Sequence, residues 1–346
     1  MSTYRLSSVF MPKSVAVIGA SARERSAGRV VLHNLISGRF PGQIAVVNPR
    51  HRQIEGLNTV ARLHDLSWIP DLAIITAPPH AVTAVIAEAA ERGVPAALVL
   101  SGGLGQGPGS IAEAIEAAAR AKGMRLVGPC SVGLIAPHAR LNASVSAHQP
   151  LPGDLALVSQ SGAVAAGLVE WGVSRSIGFS GVVSLGESLD VDFGDMLDYF
   201  ATDHRTRAIL LYVESIRDAR KFMSAARIAA RSKPVVVVKS GRHVPATGEL
   251  GTHVAALASA DAVYDAAFRR AGLLRVRALD ELLAAAEAVG RLRAFSGRRL
   301  AILTNGGGVG GLAADSLLDL GGTLATLSPE TRSKLEVLLP AAWSQD

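Results

Sequence analysis

One cysteine, Cys130, is all that the 346 residues contain. An intrachain disulfide is therefore impossible, and nothing points to an oxidising compartment. Aromatic residues make up only 4% of the chain, too few for the stacking platforms that hold single-stranded nucleic acids. Long hydrophobic runs are missing as well. Stretches such as Ala96–Leu100 and Val235–Val238 fall far short of the roughly 20 residues that a membrane-spanning helix needs. The N-terminal Met1-Ser-Thr-Tyr-Arg-Leu6 lacks the basic-then-apolar pattern of a signal peptide. Acidic residues are the scarcer charge, 29 against 35 basic, yet no basic tail or dense basic run accompanies the net charge of +6. The surplus fits arginines on a solvated surface or a small anionic ligand. A soluble cytoplasmic protein with neither a nucleic-acid nor a membrane partner is the expectation.

What is present is apolar. A 49% hydrophobic share against 18% charged residues excludes disorder as a description of the whole chain. At roughly 150 residues per domain, the length suggests two or three domains. Short apolar runs of strand length recur at Ser14–Ile18, Ile44–Val47, Leu72–Ile75, Ala96–Leu100 and Arg125–Val127. Helix-like stretches rich in Ala, Glu and Arg lie between them, notably Ala81–Arg92 and Ser110–Lys122. Strands alternating with helices mean βαβ units and a parallel, doubly wound sheet. The stretch 136–153 has no clear period and reads as a linker with little regular structure. Alternation then restarts with strands at Leu155–Val158, Gly181–Leu185, Ala208–Val213 and Pro234–Val238, which predicts a second α/β domain. A third begins at Arg299–Thr304 and is expected to be incomplete at Asp346, because two strands cannot bury a core.

The loops that follow the strands carry Gly, Ser, Thr and Asn, where parallel sheets bind ligands. Gly19-Ala20-Ser21 and then Gly28 at a helix start make an anion cradle, since unpaired backbone N–H groups of a helix N-terminus point at the ligand. The dinucleotide fingerprint G-x-G-x-x-G is not met. After the second strand stands Asn48-Pro49-Arg50-His51-Arg52, and no acid to hold a ribose hydroxyl pair. Arg50 and Arg52 would attract a ribose phosphate, which favours coenzyme A or NADP over NAD. The other reading is a Rossmann-like domain with a vestigial loop. Ser161-Gly162 and Gly306-Gly307-Gly308 repeat the strand–small residue–helix arrangement and are candidate phosphate sites, although such turns are also common structural punctuation. His253 sits in a Gly-rich stretch without metal-ligand spacing to another His or to Cys, so no metal site is expected. Glu214 ends a strand. Taken singly, a loop histidine is commonly a solvated residue and a strand-end acid commonly unremarkable. Together with two anion-binding helix ends they suit a phosphohistidine shuttle, with imidazole as nucleophile and the carboxylate orienting it.

Ser14-Val-Ala-Val-Ile-Gly-Ala-Ser21, Val47-Asn-Pro49, Val158-Ser-Gln-Ser-Gly-Ala163, Asp190-Val-Asp-Phe-Gly-Asp195, Leu211-Tyr-Val-Glu214, Lys233–Lys239, Ser259–Arg269 and Leu303–Gly308 together resemble the NDP-forming (ADP-forming) acyl-CoA synthetases, relatives of the succinyl-CoA synthetase α subunit. The resemblance covers essentially the whole chain. It implies a Rossmann-like CoA-binding domain over residues 1–135, a flavodoxin-like first CoA-ligase domain over 150–295, and the incomplete start of a second over 297–346. It also implies an acid–thiol ligase that interconverts acyl-CoA, phosphate and NDP with a carboxylic acid, CoA and NTP. Coenzyme A would lie across Gly19, Ala20, Ser21, Gly28, Asn48, Pro49, Arg50, Thr76, Ala77 and Pro78. His253 matches the phosphorylated histidine and Glu214 its partner carboxylate. Ser161-Gly162 and Gly306–Gly308 match the helix ends that hold the phosphoryl group. ATP or ADP and Mg would enter through an ATP-grasp domain or subunit that this chain lacks, so the chain alone is expected to be incomplete for turnover. An oligomer is implied, of the chain with itself or with that subunit. Departures fall near the site: Thr252-His253-Val254-Ala255 stands for the usual Ser-His-Thr-Gly, and Gln106 for the acid in the loop after the fourth strand. Those changes keep open a non-catalytic alternative, the acyl-CoA or metabolite-sensing region of a protein lysine acetyltransferase. An NADP-dependent reductase is disfavoured, because no Tyr-Lys pair stands out.

Overall fold

A computed structural model describes residues 3–242, 261–291 and 297–339. The chain divides into two compact units, Met1–Arg291 and Leu292–Asp346. In the larger unit a short helix α1 (Ser7–Phe10) precedes the first sheet. That sheet contains β1 (Ser14–Ile18), β2 (Gln43–Val47), β3 (Gln53–Ile54), β4 (Leu57–Val60), β5 (Leu72–Ile75), β6 (Ala96–Val99) and β7 (Arg125–Val127) in the order β3-β4-β2-β1-β5-β6-β7. All its pairings are parallel except β3 with β4. Helices α2 (Ala27–Ser37), α3 (Pro79–Glu91) and α4 (Ile111–Ala121) make the crossovers. Every residue of β1, β5 and β6 is buried. Continuous Val, Ile, Leu and Ala runs, rather than alternating ones, are what a strand covered on both faces demands.

The second sheet has the order β14-β13-β12-β10-β11-β8-β9. Its strands are β8 (Gly133–Ala136), β9 (Leu141–Ser144), β10 (Pro152–Ser159), β11 (Phe179–Ser184), β12 (Ala208–Val213), β13 (Val235–Lys239) and β14 (Leu274–Val276). Around it pack α5 (Gly162–Ser174), α6 (Phe193–Thr202), α7 (Ala219–Ser232), α8 (Asp261–Ala271) and α9 (Leu279–Arg291). Strands β8 and β9 correct the expectation of a linker over 136–153. They form an antiparallel hairpin that pairs with β11 through Val182–Ile135 and Val183–Leu134. Both strands are buried along their whole length, so no polar alternation marks them in the sequence.

One core cluster runs through both sheets, from Val15, Val17 and Leu72 to Val158, Ile209 and Leu211. Phe10 of α1 stacks on Tyr199 of α6 with ring centroids 4.2 Å apart, which ties the N-terminal segment to the second sheet's helices. Separate clusters lie beneath α3 and α4 and beneath α5 and α9. Ions join the sheets too. Asp190 accepts from Arg125 Nε at 2.9 Å and from the Leu126 amide at 2.8 Å. Arg125 Nη2 also lies 3.3 Å from Asp195, which accepts the amide of the α6 cap residue Asp192 and is 1% exposed.

The smaller unit carries β15 (Arg299–Leu300), β16 (Thr323–Leu324), α10 (Gly307–Asp319) and α11 (Pro329–Leu338). Its two strands pair in parallel. None of the described residues of α10 or α11 is buried.

Candidate functional site

The ends of β1, β2 and β5 bring Gly19–Ser21, Asn48–Arg50 and Thr76–Pro78 together. Gly19 adopts φ +90°, and a Cβ on it would lie 2.6 Å from the Ala77 amide nitrogen. Only glycine allows both that conformation and that approach. A Cβ on Gly28 would lie 2.5 Å from Thr76 Oγ1, so the first turn of α2 packs directly on the third loop. Asn48 is 9% exposed and bonds the loops to one another. Its Nδ2 donates to Ala20 O at 2.5 Å, and its Oδ1 accepts from the Arg50 and His51 amides at 2.7 and 3.1 Å. The Asn48 amide thus fixes the cradle, and Arg50 is the exposed cation beside it.

Ser26 is the N-cap of α2 and makes no side-chain cap bond. The first-turn amides of α2 therefore face the Gly19–Ser21 loop without a side-chain acceptor. Arg29 in that turn is already engaged: its Nε donates to Glu55 at 2.6 Å and its Nη1 to Ala22 O at 2.8 Å. The Arg29 hydrogen bond, against the opposing effect of desolvation, holds the Glu55 carboxyl below its ordinary range.

On the second sheet, Ser161 caps α5, its Oγ accepting from Val164 N at 3.3 Å. A Cβ on Gly162 would meet Val132 at 2.3 Å. Gln160, which sequence reasoning passed over, connects this helix end to Glu214. Its Oε1 accepts from the Glu214 and Ser215 amides at 2.7 and 3.0 Å. Adjacent C-terminal strand ends, β10 and β12, make that bridge possible. Its sequence signal was its place in the Val158–Ala163 stretch, directly before the candidate phosphate site Ser161-Gly162.

Lys239 ends β13 opposite Val213 and is 3% exposed. Its Nζ stands 4.8 Å from the centre of the Tyr264 ring. Burial lowers its pKa below that of a free lysine, with Asp261 and Glu214 pulling the other way. His253 lies outside the described residues. Gly306, Gly307 and Gly308 fall in the smaller unit. Gly306 caps α10, and a Cβ on Gly307 or Gly308 would meet nothing within 4 Å.

A groove of about 480 Å³ opens beside the cradle, lined by Gln106, Glu113, Glu187, Leu189, Ser215 and Arg217 among others. That volume is within the usual range for small-molecule sites, about 300–1,000 Å³. Ser101 Oγ donates to Ala77 O at 2.6 Å and so ties the groove's β6–α4 loop to the third cradle loop. Cys130 follows β7, where burial and then the Glu187 charge push its thiol pKa up. Among the described residues, no group of three or more His, Cys, Asp or Glu side chains is placed to hold a metal ion. No described helix is long and apolar enough to cross a membrane.

Two doubly wound layers with a glycine-shaped cradle on the first and a serine-capped helix end on the second define a class that pairs a CoA-binding domain with a ligase domain. Residues 13–137 match the CoA binding domain family, and residues 152–289 match the succinyl-CoA ligase like flavodoxin domain. The chain belongs to the α-subunit-like ADP-forming acetate–CoA ligase family. It is 38% identical to the Acetate–CoA ligase (ADP-forming) I subunit alpha of Pyrococcus furiosus, over 90% of this chain and 69% of that one. With the Acetate–CoA ligase (ADP-forming) I of Archaeoglobus fulgidus it shares 38% identity over 96% of its own length but only 48% of the relative. The chain thus spans about half of that longer relative. A solved structure, the dinucleotide forming acetyl-coenzyme A synthetase 1 of Ca. Korarchaeum cryptofilum in complex with phosphate and ADP, superposes with a TM-score of 0.90. It is 32% identical and covers 99% of this chain and 74% of that one. The acetyltransferase-linked sensor reading finds no support in these relatives, which are ligases by name.

Proposed function

We propose that this chain is the CoA-binding and phosphoryl-carrying part of an ADP-forming acyl-CoA synthetase. Residues 1–135 and 150–295 serve as its CoA-binding and first ligase domains, and residues 297–346 belong to the second. The observation that carries the reading is the match to a ligase α subunit along 90% of the chain. The cradle geometry supports it. First-turn amides of α2, Gly19 at φ +90° and exposed Arg50 offer backbone and cationic donors to a phosphate-rich nucleotide. CoA supplies the thiol that carries the acyl group. Phosphate displaces that thiol to give an acyl phosphate. The His253 imidazole attacks the acyl phosphate's phosphorus, forming an N–P bond as the P–O bond breaks and the carboxylate leaves, while Glu214 orients the imidazole and the Ser161-Gly162 and Gly306–Gly308 helix ends neutralise the phosphoryl charge. A nucleoside diphosphate then accepts the phosphoryl group on an ATP-grasp domain or subunit, where Mg would accompany the nucleotide.

Two measurements test the reading. In calorimetry, CoA binds more tightly than dephospho-CoA and more tightly than NADP. Indifference to the 3′-phosphate, or tighter binding of NADP, removes the cradle assignment. With acyl phosphate and a partner ATP-grasp subunit, acid-labile label accumulates on the chain and disappears in His253→Ala. Label that survives in that variant assigns the nucleophile elsewhere.

A further inference from the structure

The groove beside the cradle has a one-sided charge. Of its acidic residues, Glu113 accepts the Gly109 amide at 2.7 Å and Glu116 pairs with Arg120. Glu187 has no hydrogen-bond or ion-pair partner among the described residues. Its position is rigidly set. The Glu187 amide donates to Pro129 O at 3.0 Å and the Leu189 amide to Gly128 O at 3.0 Å, which staples the 187–189 turn to the end of β7. Ser188 between them holds φ +52°, is 3% exposed and leaves its hydroxyl without a partner. A non-glycine residue in the left-handed region with an unsatisfied buried hydroxyl is a strained arrangement of the kind that gathers at working sites. The groove's cation is Arg217, whose Nη1 is held by the carbonyls of Ser188 and Leu189 at 2.9 and 3.1 Å.

Position gives the groove its occupant, resting on the CoA reading above. β6 pairs with β5, so the loop after β6 is the next along the same strand ends as the cradle. Ser101–Ala77 joins the two directly. Seated on the Gly19, Asn48 and Thr76 loops with its thiol end turned toward β6, CoA would reach this groove along the strand ends. Ser215, which also lines the groove, directly follows Glu214 at the end of β12.

We propose that this groove is the acyl subsite and that Glu187 is its specificity-determining residue, excluding acyl groups that bear a second carboxylate. An unpaired carboxylate fixed in a partly enclosed wall repels another at ~6 Å by enough, after solvent screening, to weaken binding about tenfold. Arg217 opposes this, and the two residues make opposite predictions.

Calorimetry on the full chain with CoA, propionyl-CoA and succinyl-CoA separates them. Succinyl-CoA binds about tenfold or more weakly than propionyl-CoA, and Glu187→Gln narrows the gap to within about threefold. Raising the ionic strength narrows it in the parent as well. Succinyl-CoA binding as tightly as propionyl-CoA in the parent overturns the proposal and hands the site to Arg217. A ratio unchanged in Glu187→Gln overturns it too. Failure of all three CoA compounds to bind removes the CoA reading and the proposal with it, whereas CoA binding with a flat acyl preference removes the proposal alone.

Discussion

Removing the Asp195 carboxylate should cost the protein about 3–4 kcal/mol. The side chain is 1% exposed and takes Lys221 Nζ at 2.6 Å and Arg125 Nη2 at 3.3 Å. Breaking a buried pair by deleting one partner typically costs about 3–5 kcal/mol, because the other charge is left uncompensated. Here neither cation is orphaned: Arg125 keeps Asp190 at 2.9 Å and Lys221 keeps Asp192 at 3.0 Å. The lower end of that range, about 3 kcal/mol, is therefore appropriate. Asp195 also accepts the Asp192 amide at 3.0 Å as half of a capping box, and its loss adds about 1 kcal/mol. Asp195→Asn keeps an acceptor for that amide and should be milder than Asp195→Ala by about 1 kcal/mol. Urea unfolding followed by far-UV circular dichroism measures both. An alanine variant within about 1 kcal/mol of the parent refutes the reasoning. So does an asparagine variant as costly as the alanine, which would show that the cap contributes nothing.

Gly19→Ala must place a Cβ at φ +90° and 2.6 Å from the Ala77 nitrogen, so it should destabilise by about 2–4 kcal/mol and weaken CoA in the same preparation; unaltered stability would mean the loops part freely. Gln160→Leu leaves the Glu214 and Ser215 amides without their acceptor and should cost about 1–3 kcal/mol by urea titration, with no cost meaning that water replaces it. The lysines should titrate on opposite sides of 10.5 in nitrogen-detected NMR, Lys239 below and Lys221 above, and the reverse order refutes the two environments. For Lys221, burial opposes the ammonium but the Asp195 and Asp192 hydrogen bonds outweigh it; its stabilisation is thus complete below 10.5 and fades as pH rises through the higher native value. Lys239 has the opposite sign: the unfolded chain binds the extra proton, so its contribution to stability improves as pH climbs toward 10.5.

Strands β1, β2, β5, β6, β7 and β10 to β13 were legible because each is a short apolar run ended by a turn residue, a pattern that depends on neighbours in sequence alone. The hairpin β8–β9 was not. The stretch 136–153 showed no period, and the hairpin's burial comes from elements more than a hundred residues away in one direction, such as Asn34 Nδ2 donating to Ser144 O at 2.9 Å. The three cradle loops were legible for the same local reason as the strands. The bonds that Asn48 makes to Ala20, Arg50 and His51 were not, because they depend on which loops lie side by side. Gln160 lies inside the Val158–Ala163 motif without a role read from it, and Glu187 lies outside every motif. Their placement depends on which strand ends lie side by side, and strand order is a property of the fold.

β9 is the outermost strand of the second sheet, and an outermost strand presents a row of unused backbone groups to any passing chain. This one is shielded from within. Asn34 of α2 donates to the carbonyls of Ser144 and Ser146 at 2.9 and 2.8 Å, and Gln149 returns a bond to Asn34 O at 3.1 Å. The first layer is thereby a chaperone in place for the second. A polypeptide lacking α2 would still hold the residues of every strand in the second sheet, yet it would expose the β9 edge to intermolecular pairing. Self-association, rather than loss of secondary structure, is the failure to expect from separating the two layers.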